Sequence, residues 1–448
     1  MPTVQPSINR RIWAIAWPMM LSSMSVPLLG LVDTALLGHL ESEQFLGAVA
    51  IGANFIGLMY WSFGFLRMGT TSLTAQQRGA EKLVSTKPGH DQPGSDSSEA
   101  ILARSLLLAL VLGCFIALLV PLLTDTVLRW MQASERVAPL AAEYIAIRRY
   151  SAPAVFMTFA ISGWLVGTQR ARAALALVLT TNIANIVLDL VFIIGLGMQS
   201  AGAAWATLLA ELLGLLLGLY LLWRHSSLAR LQHWQQWLNA ARFRAMLRVN
   251  YHLLVRTILL LFVFNFFTAQ GSAMGDDILA GNAILLQLAL FSAFVLDGFA
   301  FAAEALCGEA YGARSWAALQ QITRRCFYWS GYTALAFAIV YALTGDLLIG
   351  LLSDVAVVVT AASPYKGWLV ALTLCSFVAY IMDGICIGCG KTKAMHYAMW
   401  FSTTVVFLPA WWLSQAWGNH GLWLAFLLFN TARGASLAFY WQRARPGG

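Results

Sequence analysis

The stretch IWAIAWPMMLSSMSVPLLGLVDTALL, from Ile12 to Leu37, is an apolar run that holds two prolines, Pro18 and Pro27, and one acid, Asp33. At about 1.5 Å per residue, a helix of that length crosses a bilayer. A carboxylate inside such a segment costs roughly 2.5 to 3.5 kcal/mol to insert, so it is rarely kept without a partner or a task. Asp33 is therefore a functional-site candidate, and the rest of the chain is read for what surrounds it.

Of the 448 residues, 59% are hydrophobic and 11% are charged, against about 25% charged in a soluble domain. The apolar residues come in runs long enough to span, so the class is an all-α polytopic membrane protein. The net charge of +8 does not argue for nucleic acid, because the basic residues sit between apolar runs, where membrane topology explains them. The six cysteines are scattered through the spans, and the Cys386–Cys389 pair lies in an apolar run without a second pair or a nearby His, which fits packing rather than a metal or redox role. The first apolar stretch lacks a cleavage site and is expected to remain as a span. All seven histidines fall in loops or near span ends, and no phosphate-binding loop occurs. An enzyme is not expected, nor any cofactor beyond a coupling ion.

Hydropathy predicts twelve spans, near 12–37, 46–73, 101–124, 138–167, 173–196, 201–223, 249–271, 278–307, 324–344, 364–388, 394–416 and 420–441. Segments on one side carry 20 Lys and Arg and those on the other about three, which puts both termini in the cytoplasm and requires an even number of spans. Residues 81–100, polar and rich in Gly, Pro and Ser, read as a flexible cytoplasmic loop. Residues 225–248 carry Trp234, Trp237, Leu238 and Phe243 among polar neighbours and read as an amphipathic linker.

That linker divides an N-terminal lobe, 1–224, from a C-terminal lobe, 249–448. An internal repeat supports the division. Gly79-Ala80 matches Gly312-Ala313 at an offset of 233, together with Leu46 and Leu279, Ala50 and Ala283, and Ile51 and Ile284; GWLVGTQRAR from Gly163 matches GICIGCGKTK from Gly384 at an offset of 221. Two pseudo-symmetric six-helix bundles with parallel repeats follow, an architecture typical of transporters.

Counting from span ends, Asp33 in span 1, Asp189 in span 5 and Thr207 in span 6 lie at similar depth. Asn182, Asn185 and Asp189 share one helical face by their spacing. Two carboxylates near each other cannot both ionise cheaply, so the pair is suited to accept a proton, and with an amide and a hydroxyl the same oxygens suit Na+. Pro27 removes a backbone hydrogen bond ahead of Asp33 and is a candidate hinge. In the second half, Asp297 and Glu304 lie seven apart in span 8, with Glu304 near an end where exposure is cheap. Asp383 lies in span 10, Arg256 in span 7 is a candidate counter-ion, Arg433 in span 12 is a candidate partner for one of these acids, and Arg67 can snorkel. Asn182, Asp297, Asp383 and Arg256 form a candidate second polar site. The alternative, that these groups only tie helices together, stays open.

LVDTALLGHLES from Leu31, LGAVAIGANF from Leu46 and FGFLRMGTTSLTAQQRGA from Phe63 resemble the multidrug and toxic compound extrusion (MATE) transporters, specifically the DinF-like branch. LDGFAFAAEALCGEAYGA from Leu296 and MDGICIGCGKTKAM from Met382 are similar to the matching parts of its second half, so the resemblance runs from about residue 10 to 440. It implies twelve helices in two lobes around a cleft, alternating access, and export of diverse, often cationic and aromatic compounds against proton or sodium entry. Asp33 matches the family's first-helix acid, and Asn185, Asp189 and Thr207 match the rest of that N-lobe ion site. The acid that other branches carry in span 7 is missing here, where Arg256 stands, which favours the N-lobe for coupling.

The expectation is therefore an antiporter of the bacterial inner membrane, a monomer by default, with small organic compounds and membrane lipids as partners and no nucleic acid. Protons are favoured over sodium, and no metal is expected other than Na+ at Asp33, Asn185, Asp189 and Thr207. The main alternative is a lipid or lipid-linked oligosaccharide flippase, which calls for an Arg-lined cavity that includes Arg256. A non-transporting scaffold would tolerate neutral residues at Asp33 and Asp189.

Overall fold

Hydrocarbon offers no partner to a backbone N–H or C=O, so long apolar runs satisfy these groups internally and fold as helices. The computed structural model describes residues 7–38, 42–86, 97–226, 239–353 and 355–443, and no strand occurs among them. The first half comprises α1 (Ile8–Gly38), α2 (Glu43–Ser62), α3 (Phe65–Thr86), α4 (Ser98–Trp130), α5 (Ala138–Arg148), α6 (Ala152–Gly167), α7 (Ala171–Asp189) and α8 (Gln199–His225). The second half comprises α9 (Ala240–Ala273), α10 (Asp276–Gly312), α11 (Trp316–Leu352), α12 (Ala356–Ala362), α13 (Lys366–Gly388), α14 (Thr392–Trp400), α15 (Leu408–Ser414) and α16 (Asn419–Arg443).

Among the described residues, 11 helical segments are long and apolar enough to cross a membrane. The eleventh expected span, 394–416, is helical from Thr392 to Ser414, but a π-turn at Phe401–Phe407 divides it into α14 and α15, so neither piece alone is long enough to count. A π-turn, Leu190–Gly195, also ends the equivalent span of the first half, directly after α7.

Several boundaries move. Span 2 is broken at Phe63–Gly64 into α2 and α3, and α3 runs to Thr86, so the stretch read as a polar loop from residue 81 begins as helix. It resumes as helix at Ser98, where the Ser97 hydroxyl accepts from the Ala100 N–H at 3.1 Å and caps α4. Residues 87–96 lie outside the described residues. Half of the expected amphipathic linker, 227–238, lies outside them too; the remainder is the end of α8 and the start of α9, where the Asn239 side chain accepts from the N–H of Ala241 and Arg242.

The helices form two compact units, one of residues 21–78 and 84–247, the other of 248–448 together with 1–20 and 79–83. The second unit therefore takes in parts of the chain that a division at residue 224 assigns elsewhere. Trp13 is the reason at one place, packed edge-on to Phe299 at 5.2 Å and Trp329 at 5.3 Å. Buried Glu309 is the reason at another: both its oxygens accept from Arg11 at 3.1 Å, and one from Lys82 at 2.5 Å.

The sequence repeat reappears as geometry. In the first unit, a Cβ on Gly163 would collide with the Arg67 carbonyl, and one on Gly167 with that of Thr71. In the second, Gly384 meets the Ala300 carbonyl and Gly388 that of Glu304 in the same way. Those partners sit at the offsets of 221 and 233 read from the sequence. Both glycine-faced helices stop in the same turn, with Gln169 at φ 62° and Gly390 at φ 68°, and with the N–H of Arg170 and Lys391 returning to the carbonyls of Leu165 and Cys386 at 2.7 and 2.8 Å. Small residues let two backbones touch where side chains would hold them apart. Gly384→Ala is accordingly expected to destabilise the protein by about 1 to 3 kcal/mol, read as a lower unfolding temperature in detergent. Gly350→Ala, where nothing lies within 4 Å, should show no loss, and equal behaviour of the two would refute the close-packing account.

Candidate functional site

In the first unit α7 carries Asn182, Asn185 and Asp189 one turn apart, and Asp189 is its last residue before the π-turn. Asn185 and Asp189 are both buried, each 1% exposed. The Asn185 amide donates to Thr207 Oγ1 on α8 at 3.3 Å, and that hydroxyl donates to the Ala203 carbonyl at 2.9 Å. The Asn185 carbonyl oxygen accepts nothing among the described residues, an arrangement that is costly unless a ligand or ion completes it.

Two contacts bracket the depth of Asp33 relative to Asp189. Below, the Asn182 amide donates to Ser25 Oγ on α1 at 2.9 Å. Above, Leu37 of α1 and Ile193 of the π-turn are buried in one apolar cluster with Val49, Tyr144, Ala203 and Ala204. Asp33 and Asp189 each stand four residues before their member of that cluster, and about 12 and 10.5 Å along the axis beyond the Ser25–Asn182 bond. The backbone positions of the two acids are thus level. At an offset of 221, the positions matching Asn185 and Asp189 in the second half are Val406 and Ala410, so the repeat does not duplicate this polar group.

The second unit holds a different cluster. Asp383 of α13 accepts from Arg256 of α9, while the Arg433 guanidinium of α16 stands 4.0 Å away and lies over the Tyr380 ring at 5.6 Å. Arg256, Asp383 and Arg433 are all buried. Asp297 of α10 is half buried and acts on Tyr380 electrostatically along with these three. Arg256 thus does have a counter-ion, and the guanidinium that a flippase reading would turn to phosphate is taken up by a carboxylate. Glu304 departs from expectation. It is buried rather than exposed, because α10 continues to Gly312 and Gly388 packs against its carbonyl. Arg67, read as a snorkelling cation, is half buried near the start of α3.

Besides the pairing of Glu309 with Arg11 and Lys82, sequence reading passed over an ion pair in the first unit. Arg148 at the end of α5 binds Glu211 of α8 through both guanidinium nitrogens, one at 3.0 Å, and Tyr60 donates to the Arg148 carbonyl at 2.9 Å. Arg148 and Glu211 each lie ten residues into a predicted span entered from the same side, so the depth counting that grouped Asp189 with Thr207 would have paired them. The histidine survey also missed that His252 of α9 and His396 of α14 meet, Nδ1 to Nδ1, at 3.1 Å.

The MatE family model matches residues 18–191 and 253–413. The chain belongs to the MatE family. It is similar to the DNA damage-inducible protein F of Escherichia coli K12, with 39% identity over 98% of this chain and 93% of that one. It is similar also to the probable multidrug resistance protein NorM of Acinetobacter baylyi, with 23% identity over 70% of this chain and 68% of that one. Among solved structures, a MATE in complex with MaD3S superposes with a TM-score of 0.84 at 20% identity, covering 98% of this chain and 96% of that one. A MatE member is a multi-pass membrane transporter, and the two six-span halves, the glycine-faced crossings and the interrupted fifth and eleventh spans are features of that fold as this chain builds it.

Proposed function

We propose that this MatE protein exports small organic compounds, often cationic and aromatic, in exchange for a cation taken up at Asp33, Asn185, Asp189 and Thr207. Protons are the favoured ion, Na+ the other that the same oxygens suit. The observation that carries the reading is the buried pair of Asn185 and Asp189 at an α-to-π junction, with an amide oxygen left open and Thr207 alongside. π-turns inserted in α-helices are frequent at functional sites, and a buried carboxylate changes its cost of burial sharply when it gains or loses a proton. The name of the Acinetobacter relative, multidrug resistance protein, supports the substrate class.

Coupling requires each ligand to bind the two states of the transporter with different affinity. A cation on Asp189 and Asp33 favours a state in which these acids are enclosed. Pro27, between Ser25 and Asp33 on α1, interrupts the helix ladder and would let the Asp33 end move against α7. The basic residues place both termini in the cytoplasm of a bacterial inner membrane in this reading.

The test is efflux of a fluorescent cationic dye from proteoliposomes under an imposed proton gradient and then a sodium gradient. Proton-driven efflux lost in Asp33→Asn is expected. Efflux driven by neither gradient, with folded protein, would overturn the proposal, and an unchanged rate in Pro27→Ala would remove the hinge.

A further inference from the structure

We propose that the second unit carries, beside the ends of α10 and α16, a binding site for the headgroup of an anionic glycerophospholipid. A cavity of about 470 Å³ opens there. Tyr311, Trp316, Phe327 and Trp441 form its aromatic walls, and Arg324 and Lys391 supply its charge. No Asp or Glu lines it.

Three features define the ligand. The first is sign. Arg324 makes no hydrogen bond or ion pair among the described residues, and Lys391 lies over the face of Tyr311, at 5.4 Å, with no carboxylate paired to it among those residues. Burial pulls the Lys391 pKa down, but Tyr311, Tyr440 and Cys389 together more than offset it and leave it raised, so the amine is charged at neutral pH. Two cations without a carboxylate repel the organic cations proposed as cargo and attract an anion.

The second feature is depth. Tyr311 is one residue from the end of α10, Trp316 begins α11, Lys391 lies between α13 and α14, and Trp441 is two residues from the end of α16. All are at helix ends on the side of the unit rich in Lys and Arg, where Trp and Tyr anchor at the headgroup level and basic pockets between spans hold lipid phosphates. The third is size and lining. The cavity exceeds what bare phosphate needs, and its floor includes Leu319 and Met382, which suits a glycerol backbone and the first methylenes of an acyl chain.

Trp316 and Trp441 provide the readout. The purified full chain is placed in phosphatidylcholine nanodiscs in which a minor fraction of the lipid is dibrominated phosphatidylglycerol, or dibrominated phosphatidylcholine in the control. Brominated phosphatidylglycerol should quench tryptophan fluorescence more than the control, corresponding to a roughly tenfold enrichment at the site. The excess should shrink in Trp316→Phe and vanish in Arg324→Gln/Lys391→Gln. Arg325→Gln, which removes an exposed cation outside the cavity, should keep it. Equal quenching by the two lipids overturns the proposal. So does an excess that Arg325→Gln removes as fully as the double variant, which would mean diffuse surface attraction. Loss of the excess on adding inorganic phosphate would identify free phosphate as the ligand and overturn the lipid assignment. Should the double variant fail to fold, Trp316→Phe alone decides, since an unchanged excess there excludes this cavity.

Discussion

Asp189→Asn is expected to abolish cation-driven export, lowering the initial rate of dye efflux from proteoliposomes by roughly a hundredfold, and to leave the protein folded. Driving a two-state transporter from one side to the other takes a large differential affinity, about 10⁴-fold for a full swing. A neutral amide has no charge to exchange with a proton and weak attraction for Na+, so the differential disappears with the carboxylate. The substitution preserves volume and keeps a group able to hydrogen-bond at the α-to-π junction. Neutralising a carboxylate that is 1% exposed also removes a desolvation cost, which offsets what the lost charge contributed to its contacts. A folded Asp189→Asn protein that exports at the wild-type rate under the same gradient would sink the assignment of the coupling site.

The same chemical change at Asp383 should do the opposite. Asp383→Asn is expected to destabilise the protein by about 3 to 5 kcal/mol, because it leaves the buried guanidinium of Arg256 without its carboxylate and removes the acid nearest Arg433. Loss of one partner exposes the full cost of the other's burial, whereas removing both is often neutral. Asp383→Asn/Arg256→Met should therefore be more stable than Asp383→Asn alone. Thermal unfolding in detergent measures both. If Asp383→Asn melts with the wild type, the α9–α13–α16 cluster is not what joins these helices. One isosteric substitution at two buried aspartates thus separates an acid kept for exchange from an acid kept for structure.

Much of this was legible in the chain. Apolar runs, the Lys and Arg asymmetry and two glycine-bearing repeats at fixed offsets are linear signals, and they carried the helical class, the doubled architecture and the depth of Asp189, Asn185 and Thr207. They could do so because hydrocarbon forces each span to pair its own backbone, which makes depth a matter of counting. Counting fails where the helix is not regular. The Phe63–Gly64 break, the π-turns after Asp189 and Trp400, and the extension of α10 that buries Glu304 all shift register without an obvious mark in the composition.

Partner choice was less legible still. Arg256, Asp383 and Arg433 are charges in three separate spans, and sequence could assign Arg256 to a counter-ion, a substrate or a phosphate. Only packing chose Asp383. The pairing of Arg148 with Glu211, and the gathering of Arg324, Lys391 and four aromatic side chains around one cavity, likewise depend on which faces of distant helices meet. By itself the sequence determined what each span is made of and, where the helix is regular, how deep its polar groups lie relative to one another, since both are local to one helix. The tertiary structure decided which of those groups touch, because rotation about each helix axis is set by side-chain packing against neighbours far away in the chain.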